Sequence, residues 1–138
     1  MWLAFTWNRH THSQAVWKWF ASLANDNVFF CRFTQLGLLR LLTTSAVTGE
    51  DCVTVRKAWA LYDRCLSDER IAFVREPADI ESLFRHATAV FSSQSSPKAL
   101  GDCYLVAMGE ALDATLVTFD IGLADLCSRL RRNVMLLR

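Results

Sequence analysis

Apolar and polar positions along this chain follow two rhythms. Where apolar residues recur every three or four positions the pattern predicts a helix; where they run together briefly it predicts a buried strand. Val16, Trp17, Phe20 and Leu23 fall at helical spacing, and Thr11 or Ser13 stands where a cap would open a helix running to about Leu23. "NDN" at 25–27 signals a turn, and "VFFC" at 28–31 reads as a short buried strand. The stretch 34–43 predicts a helix with Leu38, Leu39 and Leu42 inward, followed by a loop at 44–50. Thr48 is placed to cap the next helix, from about Glu50 to Leu66. "IAFV" at 71–74 is a second strand, and Pro77 opens a helix through about Val90. After the polar loop 92–96, Ser96 and Pro97 form a cap-then-first-turn pair that launches a helix to about Leu112. The apolar run 114–119 predicts a strand, a short helix starts at Ile121, and "NVMLL" at 133–137 predicts a last strand.

Short buried strands alternating with helices predict an α/β fold with a central parallel sheet covered on both faces. No internal repeat or linker breaks the pattern, so residues 1–138 read as a single domain. Domains of this kind normally open on a strand. Here "MWLAFTW" leaves no room for a full strand before the first helix, so the N-terminal strand is expected to be absent from the sheet.

Composition narrows the function classes. An apolar content of 52% argues against disorder, and a net charge of +1 confines any nucleic-acid surface to local basic groups. No apolar run is long enough to span a membrane, and no basic segment precedes the first apolar residues as a signal peptide would require. Five cysteines, at 31, 52, 65, 103 and 127, lack paired spacing and read as buried free thiols of a cytoplasmic protein.

The chemistry concentrates in carboxylates. Asp120 ends the strand in "ATLVTFD", where parallel sheets place their sites. Asp102 shares a helical face with Leu105, Val106 and Gly109, an inward-leaning position that costs a carboxylate its hydration. A helix antiparallel to the following strand brings its start near that strand's carboxyl end, so the two acids can converge. Two close carboxylates suit a hard cation such as Mg²⁺ or Mn²⁺, which polarises phosphoryl oxygens and activates water. Thr118 offers a hydroxyl on the same strand. The plainer readings stay open: Asp120 as the N-cap of the next helix, and Asp102 as a solvated first-turn acid.

Other groups carry less. The "HTH" at 10–12 reads as a polar pair at a helix start, because residues two apart do not share a face. Trp7, Trp17 and Trp19 suit packing more than base stacking, and "RLRR" at 129–132 suits a solvated face. Arg32, Arg40 and Lys98 fall near the predicted site end, where they can hold RNA phosphates; Arg40 fits a solvated helix face equally well.

"SPKALGDCYLVAMGEALDATLVTFDIGL" closely resembles the C-terminal half of PIN domains, above all VapC-type toxins of toxin–antitoxin systems. "FCRFTQLGLLRLLT" resembles a subgroup whose middle helix begins Thr-Gln, and "WLAFTWNRHTHSQAVWKWF" resembles the family's first helical region. The resemblance implies a PIN-like, Rossmann-like three-layer domain. It implies a metal-dependent endoribonuclease that cleaves RNA with Mg²⁺ or Mn²⁺, is inhibited by a cognate antitoxin and forms homodimers. Asp102 and Asp120 match the family's third and fourth acidic positions as catalytic metal ligands. Gln35 falls at the second, where many members carry Glu, and would orient a metal-bound water without adding charge. Thr118 joins the catalytic set, and Arg32, Arg40 and Lys98 the RNA-binding set.

The family's first strand, which ends in its first acidic residue, has no counterpart in this sequence. Two expectations follow: a translation start roughly ten residues upstream, or a decayed, catalytically impaired binding module that pairs with an antitoxin or another PIN subunit.

Overall fold

The structure is a computed structural model that describes residues 1–24 and 26–138. The backbone is α/β and divides into two units, Met1–Arg75 and Glu76–Arg138. In the first, α1 (Trp2–Thr6) and α2 (Ser13–Ser22) precede β1 (Val28–Phe30); α3 (Arg32–Leu42), α4 (Ser45–Thr48) and α5 (Val55–Leu66) then lead to β2 (Ile71–Phe73). The turn expected at 25–27 includes Asn25, which lies outside the described residues.

Strands β1 and β2 pair in parallel, Val28 opposite Ile71 and Phe30 opposite Phe73. Around this ladder the core is aromatic. Phe30 is fully buried, stacks on Trp2 at 3.6 Å between ring centroids and meets Tyr62 edge-on at 5.0 Å. Phe5 meets Phe20 edge-on at 4.9 Å. Arg70 closes the end of α2: it donates to the carbonyls of Phe20 and Leu23, lies 3.9 Å over the Phe20 ring and grips Asp68 with two nitrogens. That grip holds the Asp68 carboxyl below its usual range.

Several expected boundaries move for local reasons. Neither Thr11 nor Ser13 caps α2; His12 holds the cap position without a side-chain bond, and Ser13 is already helical. The helix expected at 34–43 starts at Arg32, because Thr34 reaches back to the Cys31 backbone and closes the turn earlier. Residues expected to be a loop at 44–50 contain α4 and a 3₁₀ turn over Gly49–Asp51. Thr48 is buried there, its hydroxyl bonded to the Thr44 carbonyl, so it caps nothing. Thr54 launches α5 instead, accepting from the Lys57 amide at 3.3 Å.

The second unit contains α6 (Ile80–Thr88), α7 (Ala99–Ala111), β3 (Leu116–Thr118), α8 (Ile121–Arg129) and β4 (Val134–Leu136). Strands β3 and β4 pair in parallel, Leu116 opposite Val134 and Thr118 opposite Leu136. Cys103, Val106, Leu123, Leu126 and Cys127 form the core with Ala87. Gly109 permits a close α7–β3 approach: a Cβ there would sit 3.3 Å from Leu116 Cγ, and its carbonyl accepts the Ala114 amide at 2.8 Å. Both prolines fall short of the helices they were expected to open. Helix α6 begins three residues after Pro77, and Pro97 lies in a turn closed by the Ala99 amide on the Ser96 carbonyl, with no side-chain cap from Ser96.

Parallel strands flanked by helices match the expected fold class, but the single central sheet does not appear as one ladder among the described residues. The strands are three residues each and pair two by two, β1 with β2 and β3 with β4. Each pair is joined by its own helical crossover, so pairing stays within a unit. No helix among the described residues is long and apolar enough to cross a membrane.

Candidate metal centre

Two carboxylates stand at the carboxyl end of the β3–β4 ladder. Asp120 follows β3 directly; Asp102 lies in the first turn of α7, half-buried beside the fully buried Cys103. Because α7 runs back against β3, its beginning meets the strand's end. Burial raises the Asp102 carboxyl above the usual range, and the negative charge of Asp120 raises it further. Asp102 in turn helps push up the buried thiols of Cys103 and Cys127, the latter to about 11, with burial the larger cause in both.

Asp120 does two things. Its Oδ1 accepts the Leu123 amide at 3.1 Å, so it is the N-cap of α8, as the plainer reading held. Its Oδ2 makes no hydrogen bond among the described residues and is left for another partner. Thr118 is buried, and its Oγ1 accepts the Asp120 backbone amide at 3.0 Å, fixing the backbone from which the carboxylate projects. Gly122 is the neighbour that sequence reasoning missed. A Cβ at this position would lie 3.1 Å from Asp120 Oδ1, closer than side chains normally tolerate. The signal was a glycine in the first helical turn, where glycine weakens a helix and needs a steric reason.

The remaining predicted site residues sit apart from this pair in sequence and role. Lys98 is exposed at the cap position of α7, four residues before Asp102. Gln35, Arg32 and Arg40 belong to the first unit, all on α3. Arg40 is exposed in the last turn, its carbonyl accepting the hydroxyls of Thr43 and Thr44. Gln35 is only 5% exposed, and its Oε1 accepts a hydrogen bond from Arg32 Nη1. The Arg32 guanidinium lies 4.6 Å over the Phe73 ring. Burial pushes the Tyr62 hydroxyl up, while a hydrogen bond from Gln35 opposes that shift.

A metal test on these groups is mixed but positive for the acid pair. No cluster of three or more His, Cys, Asp or Glu suited to a metal occurs among the described residues. Mg²⁺, however, is commonly held by one or two carboxylates and several waters, and a half-buried Asp102 facing the charge of Asp120 suits that chemistry. Gln35, expected to orient a metal-bound water, instead has its amide oxygen bonded to Arg32 among the described residues. The histidine pair is structural: the His12 amide donates to His10 Nδ1 at 3.1 Å, and burial, then the His12 charge, lowers the His10 pKa. The basic run at 129–132 is more engaged than a solvated face. Arg132 pairs with Glu110, and Arg129 lies over Phe91 at 5.7 Å.

Comparison with known proteins places this geometry in context. The chain is 39% identical over 125 residues to Ribonuclease VapC41 of Mycobacterium tuberculosis, covering 87% of this chain and 84% of that protein. It is 25% identical over 126 residues to Ribonuclease VapC39 of the same organism, covering 91% and 88%. No family model matches the sequence.

Proposed function

This chain belongs to the VapC family of PIN-domain ribonucleases, and from that premise we propose that it is the toxin endoribonuclease of a toxin–antitoxin system, cleaving RNA with Mg²⁺ or Mn²⁺ held at Asp102 and Asp120. The observation that carries the reading is the pairing of a half-buried Asp102 with Asp120 at the carboxyl end of a parallel ladder, where burial and then the charge of Asp120 raise the Asp102 carboxyl. A bound divalent cation supplies neutralisation of a phosphoryl oxygen and a water of lowered pKa. The water oxygen bonds to phosphorus, the bond from phosphorus to the leaving sugar oxygen breaks, and the water's proton ends on that leaving oxygen.

The chain's own residues prepare this. Asp102 and Asp120 give the negative charge that holds the cation. Thr118 fixes the Asp120 backbone and the Leu123 amide engages its Oδ1, so Oδ2 is the oxygen the cap does not use. Gly122 leaves the space this rotamer occupies. Lys98, Arg40 and Arg32 are exposed and suited to RNA phosphates. An antitoxin that covers the acids is the matching inhibitor, and two copies of the chain form the working unit.

The test is cleavage of single-stranded RNA by the 138-residue chain in Mg²⁺ or Mn²⁺. Asp102→Asn and Asp120→Asn are each expected to lower the rate by about 10²-fold or more, the scale of removing one charge-stabilising group. Variants that cut as fast as the parent refute the site. A parent that binds RNA without cutting it supports the binding-module reading instead.

A further inference from the structure

Four arginines of the chain are neutralised by acids: Arg9 by Asp51, Arg70 by Asp68, Arg85 by Glu81 and Arg132 by Glu110. Arg32 differs. No acid among the described residues pairs with it, yet its guanidinium is fixed from two sides. Gln35 Oε1 takes one N–H, and the Phe73 ring covers one face at 4.6 Å. Gln35 is itself buried, which limits how far its amide can turn away. Arg32 remains exposed, and most of its five N–H groups stay available. An exposed arginine normally loses its rotamer freedom only when a ligand arrives. Here the loss precedes binding.

We propose that Arg32 is a preorganised contact for an RNA phosphodiester, and that Gln35 is its positioning residue rather than a metal ligand; this rests on the ribonuclease reading. The planar fork matches two oxygens of one phosphate. The contact stands at the carboxyl end of the β1–β2 ladder, immediately after β1, where parallel pairs present their ligands. Phe33, the next residue on α3, is also exposed. Basic groups together with exposed aromatic rings are the combination that single-stranded nucleic acid uses. It favours RNA over an acidic peptide, which offers carboxylates but no bases.

The experiment measures binding of a labelled single-stranded RNA oligonucleotide to the full chain in EDTA, so that cleavage does not intervene. Arg32→Ala is expected to weaken binding about 3–10-fold and to reduce the salt slope by about 0.7, the value for one phosphate on a single strand. Gln35→Met is expected to cost about 2–5-fold by freeing the guanidinium, and to cost nothing further in an Arg32→Ala background. A purely structural role for Gln35 would cost the same in both backgrounds, and that result overturns the proposal. Should Gln35→Met not fold, Phe73→Leu removes the other support and must show the same dependence on Arg32. A parent that fails to bind RNA, an Arg32→Ala variant with unchanged affinity and slope, or Arg32-dependent binding of an acidic peptide alone would each overturn it. Cleavage by the Asp102 and Asp120 variants reports on the metal reading separately, because this binding assay uses no metal.

Discussion

The two units carry the same device with opposite electrostatics. Each has a parallel pair of three-residue strands, and in each a polar group follows the first strand of the pair. After β1 the group is an arginine and a glutamine that satisfy one another over an aromatic ring. After β3 it is an aspartate whose charge raises a second aspartate on the preceding helix. The first arrangement is complete in itself and offers donors outward. The second sets a half-buried acid against another negative charge, which is the arrangement proposed above to hold a cation. A position in a fold therefore does not define a role; the partners that side chains find there do.

The contrast extends to the cores, and the largest expected effect tests it. The first unit is organised around Phe30 between Trp2 and Tyr62, the second around aliphatic and thiol side chains. Phe30→Ala should destabilise the protein by about 3–5 kcal/mol, and Leu126→Ala by about 2–5 kcal/mol. Urea unfolding measures both; a Phe30→Ala cost below about 1 kcal/mol would mean that the ring stack is not what organises the first unit.

Next in size is the steric support of the acid pair. Gly122→Ala brings a methyl against Asp120 Oδ1. Cleavage should fall several-fold, while the melting temperature holds or rises, since alanine favours the helix. Unchanged cleavage would remove Gly122 from the site.

The smallest effect separates strain from satisfaction. A carboxylate whose folded pKa is raised binds its proton more tightly in the folded state than in the unfolded one. Stability from Asp102 therefore falls as pH rises from the usual carboxylate range through the raised value, then stays constant. In metal-free buffer at neutral pH, Asp102→Asn should remove that penalty and raise the melting temperature by about 1–3 °C. The same experiment on Gln35→Glu is its counterpart: a new ion pair with Arg32 should leave stability nearly unchanged. If Asp102→Asn lowers the melting temperature instead, the acid is a structural group.

Much of this was legible in the sequence because the signals were local or topological. Asp102 and Asp120 could be paired on paper, since a helix antiparallel to the next strand must bring its start to that strand's end. Strand positions were readable from short apolar runs, though each proved shorter than its run. The state of Gln35 was not readable, because it depends on its burial and on the seat that Phe73 gives Arg32, which only tertiary packing delivers. Helix starts failed where a turn preceded the helix, as after Pro77 and Pro97, where Thr34 bonded back to the Cys31 backbone, and where Thr54 capped in place of Thr48. Asp120 shows the limit most plainly: cap and site were posed as alternatives, but the cap engages only Oδ1 and so does not exclude the proposed site.

The most direct test of the acid pair as a cation site is thermal unfolding of the 138-residue chain against Mn²⁺. The parent should gain about 5–10 °C at a hundredfold excess over the dissociation constant and then level toward the slow logarithmic rise of mass action. The Asp102→Asn, Asp120→Asn double variant should start slightly higher and gain nothing. An equal gain in both proteins, or none in the parent, would contradict the account.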